Sequence, residues 1–494
     1  MANFEEHPEQ FEAAQPPEPA LGATAARGVG LLVGRTLSLQ LLTAGVTVVL
    51  ARILTPADYG LFAIALAVQL VGQRAAELGL PAAVVRMDEA PSARLQSAIW
   101  GFLLVSSVML AALLLLAAFA LAPALGLDGH TLDAIAVAGC AIPFYAARAM
   151  PMALMERELR FGRVAIVETA DTLAFNGFAL AAALAGLGAF SLSGAVAVGG
   201  IAGMATAWSL QRFARRPSLE LEPVRPLIGF GAQVSVLQGI FLFRELGFVS
   251  LVAAFGGVGA AGFYAMAKRL FSFPIALSSA VARVSFPALA REPRLRHERA
   301  AKAAAYTAIA AGLPLALVAG AIQPLIGVVL GDEWKPTADV VLYGSLGMML
   351  IASAVATLIG LSLAEGRPRW PMVAAVAETT VAFATVAALT GPLGEIGVGL
   401  ALSVSAVVAV TALAIGTDPG VRRSMLAVAK ATAIAAVAVV AGQAVGAGED
   451  IAGLLLSLGT VGVVWFALEL VFSRSDMTRI LGIIRPLLRR AAPI

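Results

Sequence analysis

Fourteen stretches of roughly twenty predominantly apolar residues follow one another along this chain, each close to the length an α-helix needs to cross the hydrocarbon of a bilayer. They run at about 29–52, 61–83, 96–121, 132–150, 164–186, 189–211, 227–253, 259–282, 304–330, 338–363, 371–390, 396–416, 425–446 and 451–473. The first, second, seventh and eighth are interrupted by charges. In lipid a segment must satisfy its own backbone hydrogen bonds, so apolar runs of this length fold as helices. Composition agrees. Only 13% of the 494 residues are charged, about half the share of a soluble domain and too little to cover a globule of this size. The expected fold class is an all-α polytopic membrane protein with about 14 transmembrane helices.

The loops set the orientation. With the N-terminus inside, the cytoplasmic segments hold Arg86 and Arg94, then Arg148, Arg157, Arg160 and Arg163, then Arg212, Arg215, Arg216 and Arg225. Arg283, Arg291, Arg294, Arg296, Arg299 and Lys302 follow, then Arg367, Arg369, Arg422 and Arg423, and five arginines of the C-terminal tail. The opposite loops carry Arg52 and Lys335 among Asp58, Asp128, Asp332, Glu333, Glu395, Glu449 and Asp450. Arginine and lysine concentrate on the cytoplasmic side of membrane proteins, so both termini are expected in the cytoplasm. The opposite loops are too short for a folded external domain. Residues 1–27 hold five glutamates and Pro16-Pro17, which suits a disordered cytoplasmic tail and not a signal peptide. Residues 474–494 alternate arginines with leucine and isoleucine, the pattern of a basic amphipathic tail on an anionic leaflet.

Several classes of chemistry are excluded. Cys140 is the single cysteine, so there is neither an internal disulfide nor a cysteine metal site. His7, His130 and His297 fall in loops or tails. Walker A, H-E-x-x-H and G-x-S-x-G motifs are absent from any suitable context. No catalytic residue, metal or cofactor is expected. A net charge of +3 does not point to nucleic acid.

An internal repeat is visible. Tyr59-Gly60-Leu61-Phe62-Ala63 opens the second span, and Ala261-Gly262-Phe263-Tyr264-Ala265 opens the eighth. Six spans separate them, an even number, so the repeat preserves orientation and implies two pseudo-symmetric six-helix lobes. The expected division is an N-lobe over 28–213, a C-lobe over 226–416 and two extra helices over 424–473.

Charges inside the spans carry the functional signal, because an ionised group at the bilayer centre needs a partner or water. Arg35 and Arg74 lie in spans one and two; Arg244, Lys268 and Arg269 lie in the equivalent spans seven and eight. Convergence of these five cations on one cavity would call for an anionic substrate, and the arginine fork suits phosphate oxygens. Lys268 and Arg269 lie about 14 Å below the outer surface, too deep to snorkel easily, whereas Arg35 and Arg74 have plainer readings. Arg74 and Glu77 are three residues apart and form a natural pair; Arg35 is close enough to one surface to snorkel. Arg244 and Glu245 point about 100° apart on their helix, so at least one seeks a partner elsewhere. Glu168, Asp171 and Glu469 fall near an interface. Glu378 stands alone in its span and, with Glu77 and Glu245, is a candidate for binding H+ or Na+ as a coupling ion.

Three sequences resemble a known family. LARILTPADYGLFAIA (50–65), followed by Glu77-Leu78-Gly79, is similar to the opening of bacterial Wzx-like polysaccharide flippases. MERELRFGRVAIVE (155–168) looks like their connector between spans four and five, and KRLFSFP (268–274) with ARVSFPAL (282–289) looks like their eighth span and its exit. The resemblance implies the multidrug/oligosaccharidyl-lipid/polysaccharide (MOP) exporter superfamily, with two lobes around a cationic cavity. It also implies translocation of undecaprenyl-diphosphate-linked oligosaccharide from the cytoplasmic to the periplasmic leaflet of a bacterial inner membrane, without bond breakage. O-antigen, exopolysaccharide or capsule synthesis would use such a step, with glycosyltransferases and a polymerase as partners beside membrane lipids. Arg269 matches the family's basic position, and Glu77 its acidic residue before Leu-Gly. A drug/cation antiporter and a peptidoglycan-precursor flippase of the same superfamily are the alternatives. A membrane polymerase would need a large external loop.

Overall fold

The computed structural model describes residues 38–87, 89–125, 129–291, 296–364, 367, 369–416, 422–446, 448 and 450–473. All regular structure among them is helical. The chain divides into a unit of residues 1–46 and a unit of residues 47–494. Helix α1 (Ser38–Ala51) starts in the first unit; the packing of all later helices belongs to the second.

α2 (Pro56–Glu77) begins where local chemistry demands it. Thr55 accepts a hydrogen bond from the Asp58 amide, Asp58 accepts one from the Thr55 amide at 2.9 Å, and Pro56 occupies the first helical position. This reciprocal cap satisfies two donors that a helix start otherwise leaves open. The helix stops at Leu78 and Gly79, both with left-handed backbone (φ 43° and 64°), and resumes as α3 (Leu80–Arg86). α4 (Ala93–Leu125), α5 (Gly129–Gly139), α6 (Ile142–Arg157), α7 (Phe161–Leu184) and α8 (Phe190–Leu210) follow. α4 turns Met109, Leu113 and Leu116 outward, the surface a lipid-facing helix presents.

α9 (Arg225–Arg291) contains a break at Gly257, with φ 84° and ψ 168°. Glu245 and Lys268 would lie about 34 Å apart on one straight helix, yet their side chains form an ion pair. Phe248 and Tyr264 pack ring to ring at 4.8 Å. The two arms of α9 therefore run antiparallel, and glycine supplies the positive φ the reversal needs. α10 (Arg296–Gly320) bends by 67° into the segment Ile322–Leu330, which comprises α11 (Ile322–Leu325) and a π-helical turn (Ile326–Leu330). A single 3₁₀ turn (Asp332–Trp334) leads to α12 (Thr337–Leu350). α13 (Ala356–Ala364), α14 (Arg369–Leu393), α15 (Glu395–Gly416), α16 (Arg422–Val445) and α17 (Ile451–Phe472) complete the chain.

Eleven helices among the described residues are long and apolar enough to cross a membrane, or twelve if the bent α10 segment is one span. The difference from the expected fourteen has two physical sources. Of the first span only Ser38–Ala51 is described, too short by itself. The seventh and eighth meet at Gly257 with no intervening loop and count as one segment, Leu242–Ser272. The amphipathic tail expected at 474–494, the acidic tail at 1–27 and Arg35 lie outside the described residues.

α2 packs along α9, and the repeat seen in the sequence sits at their crossing. A Cβ on Gly60 would overlap the carbonyl of Val258, and one on Gly262 would overlap the carbonyl of Pro56. In each case the glycine meets the residue that stands four positions before its repeat counterpart. The two helices thus approach backbone to backbone in a reciprocal arrangement.

Candidate functional site

α2, α6, α7 and α8 on one side and both arms of α9 on the other line a half-open cavity of about 420 Å³. Its lining includes Phe62, Tyr145, Phe175, Glu245, Lys268 and Arg269, set among leucines, alanines and valines. Arg269 lies eleven residues into the second arm, about 16 Å along the helix from its start.

The five expected cations do not all reach this space. Lys268 and Arg269 line it. Lys268 pairs with Glu245 across the α9 hairpin. Arg244 turns away to Glu378 of α14, with Nη1 2.7 Å from Oε1; their side chains are 20% and 7% exposed. Glu378 is therefore not the isolated carboxylate its span suggests: a cation from another helix neutralises it. Arg244 and Glu245, which their 100° separation keeps from pairing with each other, each find a partner off their own helix arm. Arg74 pairs with Glu77 at 3.4 Å. Neither of the two is among the residues lining the cavity.

Arg269 differs from the rest. Its guanidinium donates to Thr47 Oγ1 at 2.9 Å and lies over the rings of Tyr59 (5.1 Å) and Phe62 (5.8 Å). Among the described residues no carboxylate stands within ion-pair distance of it, whereas Arg74, Arg148, Arg244 and Lys268 each have one. Four neutral pairs and one cation without a carboxylate leave the wall of the cavity with a local positive charge. A guanidinium carries five N–H donors, and among the described residues one bond from it is to protein. The aromatic faces hold it by cation–π attraction without cancelling its charge.

Two clusters escape the sequence reading. Gln69, Gln73 and Glu77 form a buried ladder on α2: Gln69 donates to Gln73 at 3.2 Å and Gln73 to Glu77 at 2.9 Å. Their spacing of four was legible as a common helix face. Arg148, counted above with the cytoplasmic arginines, lies inside α6 and pairs with Asp171 of α7; the side chains are 19% and 18% exposed. Asp171 thus has an arginine partner on another helix. The Tyr145 hydroxyl contacts Asp171 Oδ1 at 3.4 Å, and the Arg148 guanidinium stacks 4.4 Å from the centre of the Tyr145 ring. Nothing in the local sequence joins residues 145, 148 and 171.

Among the described residues, no group of three or more histidine, cysteine or carboxylate side chains is arranged to hold a metal ion.

The helical bundle has the fold of the MOP superfamily transporters. The lipid II flippase MurJ (inward closed conformation) superposes with a TM-score of 0.73 at 12% identity, over 90% of this chain and 99% of that one. A multidrug resistance MATE family transporter of the MOP superfamily, inward-facing, gives 0.57 at 14% identity over 80% and 95%. The model of the polysaccharide biosynthesis protein family matches residues 49–339, more than half of the chain, and the chain belongs to that family. The succinoglycan biosynthesis transport protein ExoT of Rhizobium meliloti (strain 1021) is 26% identical over 315 residues, 63% of this chain and 62% of the relative. The chain thus spans less than two thirds of that relative's length.

Proposed function

We propose that this chain moves an undecaprenyl-diphosphate-linked oligosaccharide from the cytoplasmic to the periplasmic leaflet of a bacterial inner membrane by alternating access, breaking no bond. The observation that carries the reading is Arg269, a guanidinium with no carboxylate partner among the described residues, on the wall of the cavity. Such a charge is costly in low dielectric unless an anion joins it, and a diphosphate offers oxygens that match the fork. The polyprenyl tail would remain in lipid between two lobes while the head enters the cavity. The family and the transport proteins among its relatives support this direction. In this reading the cavity opens toward the cytoplasm, the α2–α9 crossing closes the periplasmic end, and H+ or Na+ would act by loosening one of the pairs that hold Glu77, Glu245 or Glu378.

The drug-antiporter reading is weaker here because the cavity carboxylate, Glu245, is already neutralised by Lys268, leaving no net negative charge for a cationic drug. Full-length protein in proteoliposomes with a fluorescent undecaprenyl-diphosphate-linked saccharide tests the proposal. The wild type should transfer the probe between leaflets, and Arg269→Ala should abolish transfer at near-normal protein level. An Arg269→Ala variant as active as the exposed control Arg216→Ala would overturn it.

A further inference from the structure

The Tyr145, Arg148 and Asp171 group adjoins the cavity that Lys268 and Arg269 also line, and α8 is shaped to receive it. Three glycines of α8 each stand against one member. A Cβ on Gly200 would come within 2.9 Å of the Tyr145 ring, one on Gly203 within 2.8 Å of Arg148 Nη1, and one on Gly199 would overlap Asp171 Oδ1. With any larger residue there, the three side chains could not keep these places. The charges cancel within the group, so it adds no net charge to the cavity. What it does is fix one aromatic ring. Tyr145 has the guanidinium against one face, its hydroxyl tied to Asp171 and its edge against Gly200. The remaining, partly exposed side of the ring lines the cavity.

We infer that Tyr145 is a saccharide-stacking platform, a subsite for the sugar rings next to the diphosphate, positioned by Arg148 and Asp171. The inference rests on the cavity reading above. A pyranose ring presents a face of C–H groups and a rim of hydroxyls, and an immobilised aromatic ring suits that face. The neighbouring wall offers Phe62 and Phe175 and few hydrogen-bonding groups, so recognition there is by shape and stacking. Phosphate on one wall and sugar on the other divide the head group between Arg269 and Tyr145. Stacking without a dense hydrogen-bond code tolerates different sugars. Hence the subsite distinguishes a glycosylated lipid from a bare one more sharply than one hexose from another.

The test compares binding of two probes to the purified full-length protein in nanodiscs: undecaprenyl diphosphate, and undecaprenyl diphosphate carrying glucose. The wild type should favour the glucosylated probe about 5-fold, the scale of one aromatic contact. Tyr145→Leu should erase that preference and leave affinity for the bare diphosphate within about 2-fold. Tyr145→Phe, which keeps the ring and loses the bond to Asp171, should retain most of it and guards against a folding defect. Arg148→Ala combined with Asp171→Ala, which frees the ring without leaving a charge unpaired, should reduce the preference part-way. Equal affinity of the wild type for both probes, or equal loss of both in Tyr145→Leu, overturns the subsite. If the wild type binds neither probe better than phosphatidylglycerol, the cavity reading itself falls and takes the subsite with it.

Discussion

Gly262 of α9 lies so close to Gly60 of α2 that a Cβ on it would stand 3.2 Å from the Gly60 amide nitrogen and overlap the Pro56 carbonyl. The two glycines occupy the same position in the repeated pentapeptides, so the repeat marks the place where the helices cross.

A side chain at this crossing must drive the helices apart. Gly262→Val is expected to lower the thermal midpoint or membrane abundance clearly. Gly259→Ala, one turn earlier with nothing within 4 Å of its added Cβ, should be neutral or stabilising by about 0.5–1 kcal/mol, because alanine is the better helix residue. Thermal melts of the two purified variants make the comparison; equal behaviour would remove the crossing from the stability of the fold.

Arg52 ties α2's entrance to the bent α10 segment. Its Nε and Nη2 donate to the carbonyls of Val329 (3.0 Å) and Val328 (2.5 Å), at the end of the π-helical turn. Nearby, Trp334 Nε1 donates to the Ala51 carbonyl at 2.8 Å and the indole packs edge-on against Tyr59. Arg52→Ala removes both bonds and with them this tie between the two segments. In a Cys140→Ser background, a cysteine at Leu66 in the cavity should then be modified several-fold faster by an impermeant thiol reagent added outside cells. An unchanged rate would mean that Arg52 does not hold this end shut.

The Arg244–Glu378 pair joins α9 to α14 with little exposure. Removing one partner strands a buried charge, at about 3–5 kcal/mol. Arg244→Leu and Glu378→Leu singly should therefore sharply reduce protein level, and the double variant should recover much of it. Membrane abundance by immunoblot reads this out. Failure of the double variant to recover would show that at least one of the two groups does more than neutralise the other.

Orientation has its own test. Glu333 and Arg216 are both exposed, and the arginine asymmetry puts them on opposite sides. Glu333→Cys should be labelled from the periplasm in intact cells, and Arg216→Cys only after permeabilisation. The reverse pattern would invert the topology.

Residue order by itself determined the helices, because in lipid each segment satisfies its own backbone and a run of twenty apolar residues has no other solution. It also placed the repeat, and Glu77, Arg244, Glu245, Lys268, Arg269 and Glu378 as charges needing company. Which company each found was decided only by tertiary structure. Arg269 meets Thr47 from 222 residues away, Arg244 meets Glu378, and Arg148 lies inside the bundle with Asp171 and Tyr145. Periodicity shows the face a side chain occupies on its own helix but not the helix packed against it. Close glycine contacts such as Gly60 with Gly262, and the α8 glycines behind Tyr145, set those neighbours. Among the described residues they left Arg269 at the cavity without a carboxylate, while Lys268, Arg244 and Arg148 were neutralised.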